Sequence, residues 1–274
     1  MATPISRTLA HWRIEPGIDI FEILTEAEPG TLHCHATYNF GCVLEGEARL
    51  DIGEQSFGQP TGSVVLLNAF EAHASTWLAR ENRYFVVYVG ESAWSQLLQR
   101  VGATAGTRFA ESIVHDKILF HALKGIWAEL QSRPETVTFE DIAGLLHMAI
   151  RRGKTETDTD QMDMLPETRA ILQGLAPQHT SRPEGSLRVE DVATALGMTR
   201  FQFSRLCQAN HGMQPRRLKL QLMVARAQIE ISKGVSLTEA ALLAGFSDQS
   251  HMTREFRKTI GMTPREYQAV LPQN

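Results

Sequence analysis

A chain of 274 residues, 43% of them hydrophobic, suits two domains of ordinary size with a core in each, and excludes a chain disordered throughout. No apolar run approaches the ~18–20 residues that span a bilayer and no basic-then-apolar leader opens the N-terminus, so a cytoplasmic protein without a membrane partner is expected. The net charge of −4 is uneven: residues 165–274 hold fourteen Lys and Arg against nine Asp and Glu, a net of +5, and the residues before them carry −9, so only the C-terminal part suits a polyanion.

From Trp12 to Tyr88 short runs rich in β-branched and aromatic residues alternate with Gly, Pro, Asn and Asp. The runs Ile18–Leu24, Phe40–Leu44, Glu47–Ile52, Ser63–Leu67 and Arg83–Val89 predict strands of an all-β sandwich or barrel. Within this stretch His33-Cys-His35 is followed by Asn39 and Gly46, and Gly62 precedes His73 by eleven residues. That layout resembles the two motifs of the cupin barrel, in which an HxH, a Glu and a later His converge inside the barrel. The sequence departs from those motifs at Asn39, near which metal cupins place a Glu, and at Asn68 and Phe70, which stand where Pro and Gly are usual. Three neutral imidazoles with open positions suit Zn²⁺, Fe²⁺ or Ni²⁺, so His33, His35 and His73 are either metal ligands or polar pocket groups. The missing carboxylate favours the second reading, with neither metal nor cofactor expected. Tyr38 and Trp77 fit a pocket wall and equally fit a plain core. Cys34, Cys42 and Cys207 form neither a CxxC pair nor an even framework, which argues against a disulfide scaffold or a zinc finger and for packed thiols.

Residues 92–101 read as a helix. The apolar stripe Ile113, Leu119, Leu123, Ile126, Trp127 and Leu130, then the stripe Phe139, Ile142, Leu145, Leu146 and Ile150, predict two amphipathic helices separated at Pro134. They bury a face either on their own barrel or on a second copy of the chain. The polar, acidic stretch from Gly153 to about 164 has no periodicity and reads as a linker. A helix is expected from Pro166 to about Leu175.

The C-terminal part repeats itself. Ala193 and Gly197 recur as Ala241 and Gly245, an offset of 48, and the segments from Phe203 to Gly212 and from Met252 to Gly261 align at 49. Each copy ends on a Gly-Met-x-Pro-Arg tag, at Gly212 and at Gly261. A small residue four before a glycine, then a hydroxyl residue (Thr199 or Ser247) placed to cap an apolar second helix, make a helix-turn-helix unit. Between the copies, Gln214 to about Lys233 reads as one amphipathic helix with Leu218, Leu222, Ala225 and Ile229 on its apolar face. At ~1.5 Å per residue such a rod is on the order of 30 Å long, comparable with the ~34 Å turn of duplex DNA that separates successive major grooves.

Arg188 to Tyr267, and above all Gly245-Phe-Ser-Asp-Gln-Ser-His with Arg254, Phe256, Arg257, Gly261, Pro264 and Tyr267, resembles the DNA-binding domain of AraC/XylS-type transcription regulators. Met252 and Cys207 stand where Phe is common, and Gln221 and Gln228 where Arg and Leu are. The resemblance implies a two-domain protein. Its N-terminal all-β, cupin-like barrel with flanking helices (1–152) binds an effector and forms a homodimer. A linker (153–164) joins it to an all-α domain (165–274) with two helix-turn-helix motifs on a long helix. It also implies double-stranded DNA and a small molecule as partners, RNA polymerase if the regulator is an activator, and no catalytic residues. Thr199, Arg200, Phe201, Ser204 and Arg205 on the first unit, and Asp248, Gln249, Ser250, Thr253 and Arg254 on the second, are the expected DNA contacts. His33, His35, Tyr38, Asn39, His73 and Trp77 are the expected effector contacts. The alternative of another class is a metal-dependent cupin enzyme fused to a DNA-binding domain.

Overall fold

The computed structural model describes residues 7–157, 189–260 and 262–271. They fall into two compact units, one built from residues up to 157 and the other from residues 189–269 with the short segment His33–His35.

The first unit runs β1 (Arg7–Glu15), β2 (Ile18–Thr25), β3 (Thr37–Glu45), β4 (Glu47–Ile52), β5 (Gln55–Pro60), β6 (Val64–Leu67), β7 (Ala74–Trp77), β8 (Asn82–Gly90), α1 (Glu91–Arg100), β9 (Thr107–Phe109), β10 (Ile113–Val114), α2 (Lys117–Ser132), α3 (Phe139–Arg152) and β11 (Thr155–Thr157). Six strands pair antiparallel in the order β1-β2-β8-β3-β6-β10, three more in the order β5-β4-β7. Strand alternation gives the large sheet two different faces. On one, Ile18, Ile20, Phe40, Cys42, Val64, Leu66, Phe85, Val87 and Val89 are buried with Trp94 and Leu97 of α1, Leu119, Leu123 and Leu130 of α2, and Ile142, Leu145 and Leu146 of α3. The amphipathic helices therefore spend their apolar faces on their own sheet. On the other face Val65, Leu67 and Tyr84 pack with Leu50, Ile52 and Phe57 of the small sheet.

Three expectations change. Ile113 is not part of α2 but pairs with Val65 at the edge of the sheet. The carboxylate of Asp116 accepts the N–H groups of Ile118 and Leu119 at 2.9 Å, and this cap fixes the helix start four residues later than the apolar stripe suggested. The stretch read as linker begins as a strand, because β-branched Thr155 and Thr157 pair with Phe109 and Thr107 on β9. Phe70, standing where the cupin motif usually has glycine, adopts φ 61, in the left-handed region that favours glycine. Its turn is pinned by Asn68, whose side-chain amide donates to Phe109 O (2.9 Å) and accepts from Phe109 N (3.0 Å), and by Glu71, whose carboxylate accepts from Asn68 N at 2.8 Å. The helix expected over 166–175 lies outside the described residues.

The second unit holds α4 (Val189–Ala195), α5 (Arg200–His211), α6 (Pro215–Ser232), α7 (Leu237–Leu243), α8 (Gln249–Ile260) and α9 (Pro264–Val270). Gly197 (φ 67) and Gly245 (φ 84) make the turns between α4 and α5 and between α7 and α8, in a backbone region that costs a side-chain-bearing residue ~1 kcal/mol or more. The long helix runs one residue inside the expected bounds at each end, with Gln214 and Lys233 as its caps. Its burial is wider than a single stripe: Leu218, Gln221, Leu222, Met223, Val224, Ala227, Glu230 and Ile231 are buried, whereas Ile229, expected on the apolar face, is 45% exposed. The reason is that α6 packs against α5 on one side and against α7 and α8 on others.

Leu123 is fully buried between α2 and the sheet, so Leu123→Ala is expected to cost ~2–5 kcal/mol, read as a lowered urea midpoint of the N-terminal unit.

Candidate functional site

In each C-terminal unit the second helix buries a strip and exposes the rest. Phe203 and Cys207 on α5, and Met252 and Phe256 on α8, are fully buried, while Leu206 is half-buried. Burial pushes the Cys207 thiol up to about 11 and the Cys42 thiol to about 12, so both are protonated packing groups near neutral pH. The exposed face of α5 presents Arg200, Phe201 and Arg205, and that of α8 presents Gln249, Ser250 and Arg254; Ser204 and Thr253 are half-buried. Phe201 is 70% exposed, and the guanidinium carbon of Arg205 sits 5.7 Å from its ring centroid. Arg200 reaches Glu190 at 3.6 Å.

The two helices start differently. Thr199 caps α5 in a reciprocal box: its hydroxyl accepts Gln202 N at 3.3 Å and its own N–H donates to Gln202 Oε1 at 2.9 Å. On α8 the cap is Asp248 and not Ser247. The Asp248 carboxylate accepts His251 N at 2.7 Å and the Ser247 hydroxyl at 2.9 Å, and these bonds hold it below the usual carboxylate range. Thr199 and Asp248 are 49 residues apart, so the extra residue of the second copy lies in its turn, between Gly245 and Asp248. Two expected groove residues are thereby occupied as caps. Other expected contacts are also engaged locally: Gln249 accepts from the Thr238 hydroxyl of α7 (2.9 Å), Thr253 donates to Gln249 O (2.8 Å), and Ser204 donates to Gln214.

A buried amide ties α6 to the second unit. Gln221, 2% exposed, donates from Nε2 to the Thr259 hydroxyl of α8 at 3.2 Å, while Arg217 lies 3.7 Å from Glu255. Where the resemblance leads to Arg, this glutamine supplies a neutral link, and nothing in the sequence marked its partner Thr259.

In the first unit the neighbours Tyr38 and Asn39 of β3 divide between its two faces. Asn39 is buried and accepts the Thr37 hydroxyl at 2.8 Å. Tyr38, its neighbour on β3, points to the opposite face and stacks on Trp94 at 4.1 Å and 7°, as part of the helix-covered core. Tyr38 is therefore corrected from pocket wall to helix packing, by the period-two alternation of a strand. Trp77 lies 5.7 Å from Tyr84, on the inner side. His73 is buried, with Nδ1 2.8 Å from Glu71 O. In the short segment His33–His35, grouped with the second unit, the two imidazoles meet edge to face at 4.8 Å. Sequence reasoning missed Tyr84 and Tyr88, which share the inner face of β8 with Val86 opposite Val43, Gly41 and Asn39 of β3. Phe21 meets Tyr88 edge-on at 5.6 Å. Burial raises both phenols well above their ordinary value, so both hydroxyls remain protonated donors. The alternating run Arg83–Val89 held the signal: Tyr84 and Tyr88 alternate with the buried Phe85, Val87 and Val89.

Residues 192–269 match a family described as a helix-turn-helix domain, and residues 28–147 one described as an AraC-like ligand binding domain. The chain pairs an AraC-like ligand-binding domain with a helix-turn-helix domain, as AraC-type transcriptional regulators do. This regulator is 23% identical over 252 residues to the probable transcriptional regulator LumQ of Photobacterium leiognathi, a match that covers 90% of this chain and 96% of LumQ. It is 32% identical over 84 residues to the bifunctional transcriptional activator/DNA repair enzyme Ada of Escherichia coli, a match to 31% of this chain that spans 24% of the length of Ada. The crystal structure of ToxT from Vibrio cholerae O395 shares its fold at 13% identity, with a TM-score of 0.62 over 95% of this chain and 100% of ToxT. The regulator thus has an N-terminal ligand-binding domain and a C-terminal DNA-binding domain, and the cupin-enzyme alternative finds no support in these matches. Among the described residues no helix is long and apolar enough to cross a membrane.

The caps yield a test of the local geometry. Thr199→Ala is expected to destabilise the C-terminal domain by ~1 kcal/mol in urea titrations. Asp248→Ala is expected to lower its melting point at pH 7. Because the folded-state pKa of Asp248 is depressed, its contribution is present above the unfolded value and fades as pH falls through the folded one, so the wild-type advantage should shrink in acid.

Proposed function

We propose that this regulator reads two adjacent DNA segments with α5 and α8, and that a small molecule held between the two sheets of the N-terminal domain sets which segments are bridged. The observation that carries the DNA reading is the pair of capped helices set against one shared helix, each with an exposed arginine at its outer face, Arg205 and Arg254. Arg200, Phe201, Arg205, Ser250 and Arg254 are assigned to the groove. Ser204, Gln249 and Thr253 flank it, and Thr199 and Asp248 hold the helix starts. Arginine pairs with guanine O6 and N7 in the major groove, and lysines and arginines at helix ends position the backbone without reading sequence.

The inner face of β3 and β8 supports an effector that is largely apolar and carries a hydrogen-bond acceptor. Phe21 and Trp77 supply apolar wall, Tyr84 and Tyr88 supply donors, and Asn39 and His73 complete the polar set. One ToxT structure is described as bound to an unsaturated fatty acid, a molecule of this class. Effector binding favours one arrangement of the regulator over another and so shifts promoter occupancy. The regulator is read as a non-enzymatic, cytoplasmic homodimer, with RNA polymerase a further partner if it is an activator.

Gel-shift titration with a promoter fragment should show Arg205→Ala weakening binding by ~1–3 kcal/mol and binding falling steeply as salt rises, since displaced counterions drive association. Unchanged affinity removes Arg205 from the interface. Long-chain fatty acids should raise the melting point of the N-terminal domain, and Tyr88→Phe should reduce that rise.

A further inference from the structure

We infer that Phe201 reads the C5-methyl group of a thymine, and that this apolar contact, absent from the second unit, makes the two DNA segments chemically unlike. The inference rests on the DNA-binding reading and goes further by naming the base chemistry. Phe201 is the most exposed of the large hydrophobic side chains among the described residues, at 70%, and it takes no part in the core, since Phe203 and Cys207 carry the packing of α5. An aromatic ring left in water contributes little to folding, and its surface stabilises only an encounter that buries it. Its place is the first turn of α5, two residues after the Thr199 cap, in the part of a recognition helix that enters the major groove first.

The choice of target comes from what the groove offers. Phenylalanine neither donates nor accepts a conventional hydrogen bond. The base edges in the major groove present donors and acceptors, with one apolar group, the thymine methyl. Arg205 is one helical turn beyond Phe201 on the same face, and its guanidinium already lies 5.7 Å from the ring centroid. The ring therefore restrains a guanidinium suited to guanine O6 and N7, and the pair reads a thymine within a base pair or two of a guanine. At the 49-residue offset that aligns Thr199 with Asp248 and Phe203 with Met252, the counterpart of Phe201 is Ser250 and that of Arg205 is Arg254. The second unit keeps the guanine reader and has a hydroxyl in place of the ring, so it lacks the methyl contact.

The test uses the full-length protein and a duplex that it enriches from a random DNA library. Each thymine of that duplex is replaced in turn by deoxyuridine, which removes the methyl and nothing else. One replacement, next to or one pair from a guanine, is expected to lower wild-type affinity about fourfold, the ~0.8 kcal/mol of one buried methyl. Phe201→Ala should bind the thymine duplex correspondingly more weakly and should be indifferent to that replacement, while Ser250→Ala should respond to it as the wild type does. Wild-type affinity unmoved by every replacement, or a response that survives in Phe201→Ala, overturns the inference while leaving DNA binding intact. A library from which no duplex is enriched contradicts the DNA-binding reading itself, and this inference falls with it.

Discussion

The structure of the C-terminal domain depends on one helix being buried on several sides at once. Pro215–Ser232 has the length of a surface helix, yet it encloses Leu218, Leu222, Met223, Val224, Ala227 and Ile231, together with the polar Gln221 and Glu230. Polar groups taken out of water must find partners, and these do: Gln221 bonds Thr259, and Glu230 pairs with Arg226 at 2.6 Å and Lys233 at 3.2 Å. The helix is thus a shared core element of both helix-turn-helix units. A unit that small does not bury enough apolar surface by itself, so each relies on the rod between them.

That dependence explains why the repeat keeps its register where it packs and shifts where it does not. Phe203 with Met252 and Cys207 with Phe256 occupy the core, whereas the extra residue of the second copy sits in an exposed turn. The turn changes which side chain caps the helix, from a threonine box with Gln202 to an aspartate on His251, without moving the buried strip. Outer faces are then free to diverge: Arg200 and Phe201 on one side answer to Gln249 and Ser250 on the other, while Arg205 and Arg254 match.

Much of this was legible. Periodicity and Gly/Pro punctuation located the long helix to within a residue, and the duplicated glycines located both turns. The five apolar runs became β2, β3, β4, β6 and β8. What escaped depended on tertiary contacts. The short strands β9, β10 and β11 exist through their neighbours: Thr155–Thr157 is too polar and too brief to announce itself and is ordered by pairing with Thr107–Phe109. Ile229 matched the apolar stripe, but a helix packed on several sides does not bury one stripe. Composition leaves Tyr38 open between pocket wall and core; strand alternation decides for core, since adjacent strand residues face opposite ways, and the same alternation sets Tyr84 and Tyr88 on the face of β8 away from Phe85, Val87 and Val89. Motif spacing located His73 and its neighbours, but said nothing of the left-handed Phe70 that holds the glycine position.

The central claim is that a rigid shared helix makes the two units read DNA together, in fixed phase. It is tested most directly by binding the full-length protein to a selected duplex in which base pairs are inserted one at a time between the two contacted segments. The account predicts that affinity collapses to that of a single segment once the insertion reaches half a turn, about five base pairs, since the second helix then faces the wrong side of the duplex. Affinity that stays at its original value through every insertion contradicts it.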